Sequence, residues 1–211
     1  VAEVNDFLLV KGCFDDIDYY FYPIGTGNVL KVLETMKQDA VESKHQFQMM
    51  GISVENMKTL NELYPGEFTF EEMRDSFDYL YFIEKLVSLA GNKMHSKRNH
   101  VNRFKREYKD WQFEIITAEN LAECLEMNDQ WCKENNCKDD DLLMKERCAV
   151  LRCFKNYTEL GLEGGLLRVN GEVMAYTIGE KLNSDTYDIH IEKAFNRIRG
   201  SYQMINREFA A

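Results

Sequence analysis

Gly165-Leu-Leu-Arg-Val-Asn-Gly-Glu-Val-Met-Ala-Tyr-Thr-Ile-Gly-Glu180 reads as two apolar strands closed by Asn170-Gly171. Asn-Gly suits a type I′ turn, in which both central residues take positive φ. A second turn, Asn183-Ser184-Asp185, leads into Thr186 to Lys193, so the region is a three-stranded meander. A loop at Asn196 to Gly200 then enters a helix that begins at Ser201.

Upstream, Trp111 to Ile116 alternates like a strand, and Leu121 to Glu134 has helical spacing. A second helix starts at Asp139 to Asp141 and runs to about Leu160, with Gly161 as its stop. The order strand, helix, helix, meander, helix describes an α/β domain. The earlier part is shorter in its elements. Val4 to Val10 and Tyr19 to Tyr22 are expected strands around a turn at Gly12 to Asp18. A helix follows the Gly25-Thr26-Gly27 loop through Val29, Leu30, Leu33 and Met36. Phe47 to Ile52 is an expected strand, Ser53 caps a helix that Pro65-Gly66 stops, and Phe70 to Asp75 is a helical turn. Tyr79 to Leu89, aromatic and β-branched, is expected to contain a strand.

The chain has 211 residues, of which 45% are apolar, enough for one large domain or two small ones sharing a core. It holds two prolines and no low-complexity stretch, so order is expected throughout. It opens on Val1 and closes on what reads as helix interior, which is expected of a piece of a longer chain, truncated at its end. No apolar run is long enough to span a bilayer. Six cysteines without a Cys-x-x-Cys pair fit thiols in a reducing cytoplasm rather than a zinc site.

A formal net charge of −10 argues against a general nucleic-acid binder. Its distribution is uneven. Lys93-Met-His-Ser-Lys-Arg-Asn-His-Val-Asn-Arg-Phe-Lys-Arg-Glu-Tyr-Lys109 carries seven Lys or Arg against the single acid Glu107. Helical projection gathers Met94, Val101, Phe104 and Tyr108 on one face, with Lys97 and Lys105 in or beside that stripe. His95, Asn99, Asn102, Arg103 and Arg106 project elsewhere. Two readings stand. One is a solvated helix whose stems lie over the core. The other is a clamp for phosphate or carboxylate, formed by Lys97, Arg98, Asn99 and Asn102.

Period-two alternation in Thr186-Tyr-Asp-Ile-His-Ile-Glu-Lys193 puts Asp188, His190 and Glu192 on one face of a strand. His190 or Glu192 is a candidate general base, and Glu180 on the neighbouring strand is a candidate to share their cleft. The ordinary alternative is a solvated sheet face. Metal ligation is disfavoured, because no second histidine is near. Arg197-Ile-Arg199-Gly200-Ser201 is a glycine loop feeding a helix, a geometry that suits phosphate. The plainer reading is a helix capped by Ser201.

Four strings, His95-Ser-Lys-Arg-Asn-His-Val-Asn102, Glu163-Gly-Gly-Leu-Leu-Arg168, Ile178-Gly-Glu-Lys181 and His190-Ile-Glu-Lys-Ala194, resemble the proteins grouped with the C-terminal domain of phosphatidylglycerol lysyltransferase (DUF2156). The resemblance covers nearly the whole chain. It implies two tandem halves of the Gcn5-related N-acetyltransferase (GNAT) type, 1–92 and 93–211, the first degenerate, each a mixed sheet flanked by helices. It also implies transfer of an acyl or aminoacyl group from acyl-CoA or aminoacyl-tRNA, held at its 3′ end, to a small-molecule or lipid acceptor. Arg197 and Gly200 match the GNAT pyrophosphate loop, but Tyr202 stands where that loop has a small residue, which favours a donor other than acetyl-CoA. A non-catalytic module that binds a nucleotide, lipid headgroup or acidic partner is the competing expectation. Oligomeric state is left open.

Overall fold

The computed structural model describes residues 1–14 and 17–211. The described chain forms two compact units, Val1–Asp78 and Tyr79–Ala211.

In the first unit, β1 (Ala2–Val4), β2 (Phe7–Leu9) and β5 (Ile24–Gly25) make one antiparallel sheet in the order β1-β2-β5. The expected single strand Val4 to Val10 is broken there, because Asn5 and Asp6 both take positive φ and turn the chain back on itself. A second sheet joins β3 (Lys11–Phe14), β4 (Ile17–Phe21) and β6 (Met49–Met50), with β4 and β6 parallel. The turn expected at Gly12 to Asp18 includes Asp15 and Asp16, which lie outside the described residues. Helix α1 (Val29–Glu42) starts at Asn28, whose side chain accepts from the Lys31 N–H, and α2 (Val54–Leu63) starts at Ser53 in the same way. Val32, Leu33, Met36 and Ala40 from one face of α1 pack with Phe7, Tyr20 and Leu60.

The second unit is built on a four-stranded antiparallel sheet. Its strands are β7 (Gln112–Ile115), β8 (Glu163–Val169), β9 (Glu172–Lys181) and β10 (Tyr187–Ala194), in the order β10-β9-β8-β7. Asn170 and Gly171 take φ of 52° and 81°, the two positive values a type I′ turn needs. Helices α5 (Leu121–Glu134) and α6 (Asp141–Lys155) cover one face. Tyr176 of β9 is buried there, donating to Asn128 at 2.8 Å and meeting Phe154 edge-on. Helix α7 (Ser201–Ala210) lies on the other face, where Phe209 meets Tyr187. Helices α3 (Ile83–Ser88) and α4 (His95–Glu107) pack against α7. The strand expected within Tyr79 to Leu89 is absent among the described residues. Tyr79 to Phe82 is neither helix nor strand, and Ile83 onward is helical until Leu89 turns left-handed.

Two of the four strings quoted above serve this scaffold. A Cβ on Gly164 would lie 2.5 Å from the Thr177 carbonyl oxygen, and one on Gly165 would lie 2.5 Å from the Phe113 ring. Arg168 ties β8 to Glu114 at 2.8 Å, to Glu123 of α5, and to the Gly171 carbonyl at 3.1 Å. In the basic helix, Arg98 donates to the carbonyls of Leu89 and Gly91, closing the end of α3.

Gly200 joins α4 to α7. Its φ is +88°, and a Cβ there would stand 2.5 Å from the His100 carbonyl oxygen. Gly171 has a similar φ of +81° but open space around it. Gly200→Ala is therefore expected to cost about 2–4 kcal/mol, the left-handed strain plus the displacement of α4. Gly171→Ala should cost about 1–2 kcal/mol, the strain alone. Urea denaturation of both variants measures the difference, and equal losses would remove the α4 contact from the account.

Candidate functional site

The loop after β10 and the first turn of α7 form one wall of an open cleft of about 380 Å³. Arg199, Gly200, Ser201, Tyr202 and Gln203 come from that wall, and His100 and Arg103 from α4 opposite. Helix α7 has no side-chain cap: its N-cap is Gly200. Ser201, expected to cap it, is buried and turns its hydroxyl back to the Phe195 carbonyl at 3.2 Å. First-turn N–H groups and the positive end of the helix dipole thus border the cleft. Arg199 is exposed at its edge. Arg103 is half-buried and pairs through Nε with Glu107 at 2.7 Å.

Of the residues expected to bind phosphate, in the basic helix and in the glycine loop, Arg199, Gly200 and Ser201 of the loop meet in this cleft. Arg197 does not. It stacks over Phe195 at 4.2 Å and reaches Glu134 of α5 at 3.4 Å, lining a separate groove beside the Asn170-Gly171 turn. Arg98 is occupied at the end of α3. Lys97 is exposed, with Nζ 5.2 Å from the centre of the Tyr81 ring. Asn99 faces His95 at 3.4 Å, and Asn102 is exposed. Lys105, the other lysine near the apolar stripe, pairs with Glu208 of α7 at 3.4 Å and stands over Trp111. His100 and Arg103 were not singled out from the sequence as a pair. Their i, i+3 spacing on α4, which puts them side by side, was the available cue.

Strand β10 does not present Asp188, His190 and Glu192 on one face. Its register with β9 shifts between Ile189 and Ile191, leaving His190 as an extra residue. A bulge of this kind reverses the alternation beyond it. Asp188 pairs with Glu180, and His190 Nε2 lies 2.8 Å from Glu180 and its Nδ1 3.6 Å from Asp188. These three cluster at the exposed end of the strand. Glu192 pairs instead with Thr177 and faces α7, where it accepts from Asn206 at 3.1 Å. Burial pushes the Glu192 carboxyl above the usual carboxylate range, while the Asn206 hydrogen bond and the Lys97 charge pull it back. Lys193 points the other way. It is 7% exposed, donates to Glu146 of α6 at 2.6 Å, and lies 3.8 Å over the Trp131 ring.

No helix among the described residues is long and apolar enough to cross a membrane. The family model for the C-terminal region of phosphatidylglycerol lysyltransferase matches residues 1–211. A protein of unknown function from Bacteroides thetaiotaomicron VPI-5482, 39% identical, has the same fold with a TM-score of 0.89 over 99% of this chain and 71% of its own. The C-terminal DUF2156 domain of a protein assigned provisionally as a lysylphosphatidylglycerol synthetase, from Agrobacterium fabrum, shares the fold alone. Its identity is 12% and its TM-score 0.53, over 97% of this chain and 63% of its own. An uncharacterised protein of Mycoplasmoides gallisepticum is 27% identical over 169 residues, 79% of this chain. The chain spans 52% of that relative's length. With the model matched from the first residue to the last, the chain belongs to the phosphatidylglycerol lysyltransferase C-terminal domain family.

Proposed function

We propose that this chain is an acyl- or aminoacyltransferase domain of the GNAT type, acting on a phosphate-bearing donor and an amine or hydroxyl acceptor. The observation that carries the reading is the cleft in which the uncapped start of α7 meets Arg199, His100 and Arg103. Helix N–H groups with flanking cations are what a phosphate requires. The order strand, two helices, three-stranded meander and helix, with a glycine loop before the last helix, supports the GNAT assignment. Tyr202 lines the cleft where a small residue would leave room for a pyrophosphate, which favours an aminoacyl-tRNA end over acetyl-CoA.

In this scheme the acceptor's nitrogen or oxygen attacks the acyl carbon, and the donor's oxygen or sulfur leaves. Glu192 takes the acceptor's proton. It shares the α7 side of the sheet, and its raised pKa brings its proton affinity nearer to neutral pH. Holding two substrates in line supplies most of the acceleration, so no covalent enzyme intermediate is needed.

Arg199→Ala is expected to weaken donor binding roughly tenfold, the value of one charge-assisted contact. The loss should shrink as salt is raised. Arg106→Ala, exposed on α4 and outside the cleft, should change little. Fluorescence anisotropy with an aminoacyl-tRNA mimic, and calorimetry with acetyl-CoA, read both variants. Equal effects of the two substitutions would reduce the cleft to general charge attraction. Donor binding without transfer would instead favour a non-catalytic module.

Glu192 gives a second test. A carboxyl whose folded pKa is raised holds its proton more tightly in the folded state than in the unfolded one. Its contribution to stability is therefore full below the unfolded pKa and is lost as pH rises through the folded one. Glu192→Gln should remove this decline, making the variant more stable than the parent at neutral pH. It should also slow transfer by about 100-fold or more. Chemical denaturation across about pH 4 to pH 8 checks the first expectation, and single-turnover transfer checks the second.

A further inference from the structure

We propose that Cys132 and Cys137 form a modification site of the second unit, a dithiol that closes to a disulfide by exchange with a small disulfide of the glutathione class. Residues five apart on one α-helix project roughly 140° from each other and do not meet. These two meet because the helix stops between them. Helix α5 ends at Glu134, and Asn136 takes a φ of 53°. The chain thereby turns back on α5 and enters the 3-10 turn Cys137–Asp139. Cys137 Sγ then donates to Cys132 Sγ at 2.8 Å. A disulfide sets its sulfurs about 2 Å apart, so little movement separates the two thiols from a bond.

Burial divides the roles. Cys132 is half-buried and is the thiol that a reagent from solvent reaches, whereas Cys137 is 1% exposed. Cys132 loses its proton and attacks one sulfur of the small disulfide. A Cys132–glutathione bond forms, and the other half leaves as a thiolate that takes up the proton. Cys137 loses its proton and attacks the Cys132 sulfur of that mixed disulfide, and the second half leaves in the same way. Two protein thiols are oxidised, and one small disulfide is reduced to two thiols. Burial pushes the Cys132 thiol up to about 12 and the neighbouring Cys137 adds to this, while the charges of Arg147 and Lys193 pull it back. The first attack is therefore slow, and the pair answers a sustained thiol–disulfide balance rather than a brief pulse of oxidant.

Paired thiols also serve metals, but a closed site needs further ligands. Among the described residues, no group of three or more His, Cys, Asp or Glu is placed to hold a metal ion. What closure fastens is the elbow between the two helices on one face of the sheet. Asp140, which caps α6, directly follows the Cys137–Asp139 turn, and Trp131, next to Cys132, carries Lys193 on its ring. The bridge ties the end of α5 to the start of α6. The inference lies wholly within the second unit and is independent of the transfer reading above.

Peptide mapping tests it. The folded protein is equilibrated in glutathione buffers stepped from fully reduced to fully oxidised, quenched with an alkylating reagent, and digested. Trypsin cuts after Lys133 and Lys138, so a closed pair joins two separate peptides. The Cys132–Cys137 linked species should accumulate as the oxidised share rises. Cys137→Ser should stop at a glutathione adduct on Cys132, and Cys132→Ser should leave Cys137 unmodified. Cys148→Ser, at an exposed thiol of α6, should leave the bridge unchanged. Closing the short loop should raise the melting temperature by about 5 °C, a rise that both pair variants lose. Circular dichroism checks that the variants keep the fold, and the map of the parent protein decides the matter without them. The proposal is overturned if the parent shows no linked species in fully oxidised buffer, or shows it only after urea has unfolded the chain. A glutathione adduct that persists on Cys132 of the parent without closing overturns it as well.

Discussion

The extra residue at His190 sets which side of the central sheet every later side chain of β10 meets. Before it, Asp188 shares a side with Glu180, and His190 folds into their company at the exposed end of the strand. After it, Glu192 faces α7 and Lys193 lies under Trp131 and Glu146. Without the bulge, Lys193 would turn toward α7, and Trp131 would lose its cation. The bulge thus divides the acids of β10 into an outer group around a histidine and one half-buried carboxyl. The first is exposed to solvent, and the second lies against α7.

A second constraint follows at the end of that strand. The chain must leave β10, pass α4 closely, and enter α7. Gly200 permits this by having no Cβ to strike the His100 carbonyl and by taking a left-handed conformation. The same geometry leaves the start of α7 without a side-chain cap and close to α4. One packing requirement therefore brings helix N–H groups beside His100 and Arg103. The basic helix is in this sense two things at once. Arg98 and Lys105 fasten it to α3 and α7, and its other cations face solvent or the cleft.

Elements governed by local chemistry were legible in the sequence. Asn170-Gly171 announced the hairpin because its turn needs two positive φ values, and Asp140 announced α6 by accepting from the N–H groups of Leu142 and Leu143. The bulge was not legible, because one inserted residue leaves no mark on a short alternating string. Nor was the role of Arg98, whose acceptors are backbone carbonyls brought near by tertiary folding. The glycine turn before α7 was legible, but the side of the sheet to which Arg197 swings depends on Phe195 and α5. Tyr79 to Leu89 misled because aromatic and β-branched composition favours a strand only where a neighbouring strand exists to pair with it.

The two charged side chains beyond the bulge meet burial in opposite ways. Lys193 enters the core with a carboxylate at 2.6 Å and an aromatic face at 3.8 Å, so its charge is answered at close range. Glu192 has no ion pair among the described residues. Its direct partner is the amide of Asn206, and Lys97 acts on it only as a nearby charge. Lys97 is exposed, so solvent screens that attraction, and desolvation wins. An uncharged amide at 192 would keep a hydrogen-bonding partner for Asn206 without the cost of burying a charge. Stability alone therefore does not account for a carboxyl there. A proton held more tightly than usual on the α7 side of the sheet is the property that the proposed transfer draws on.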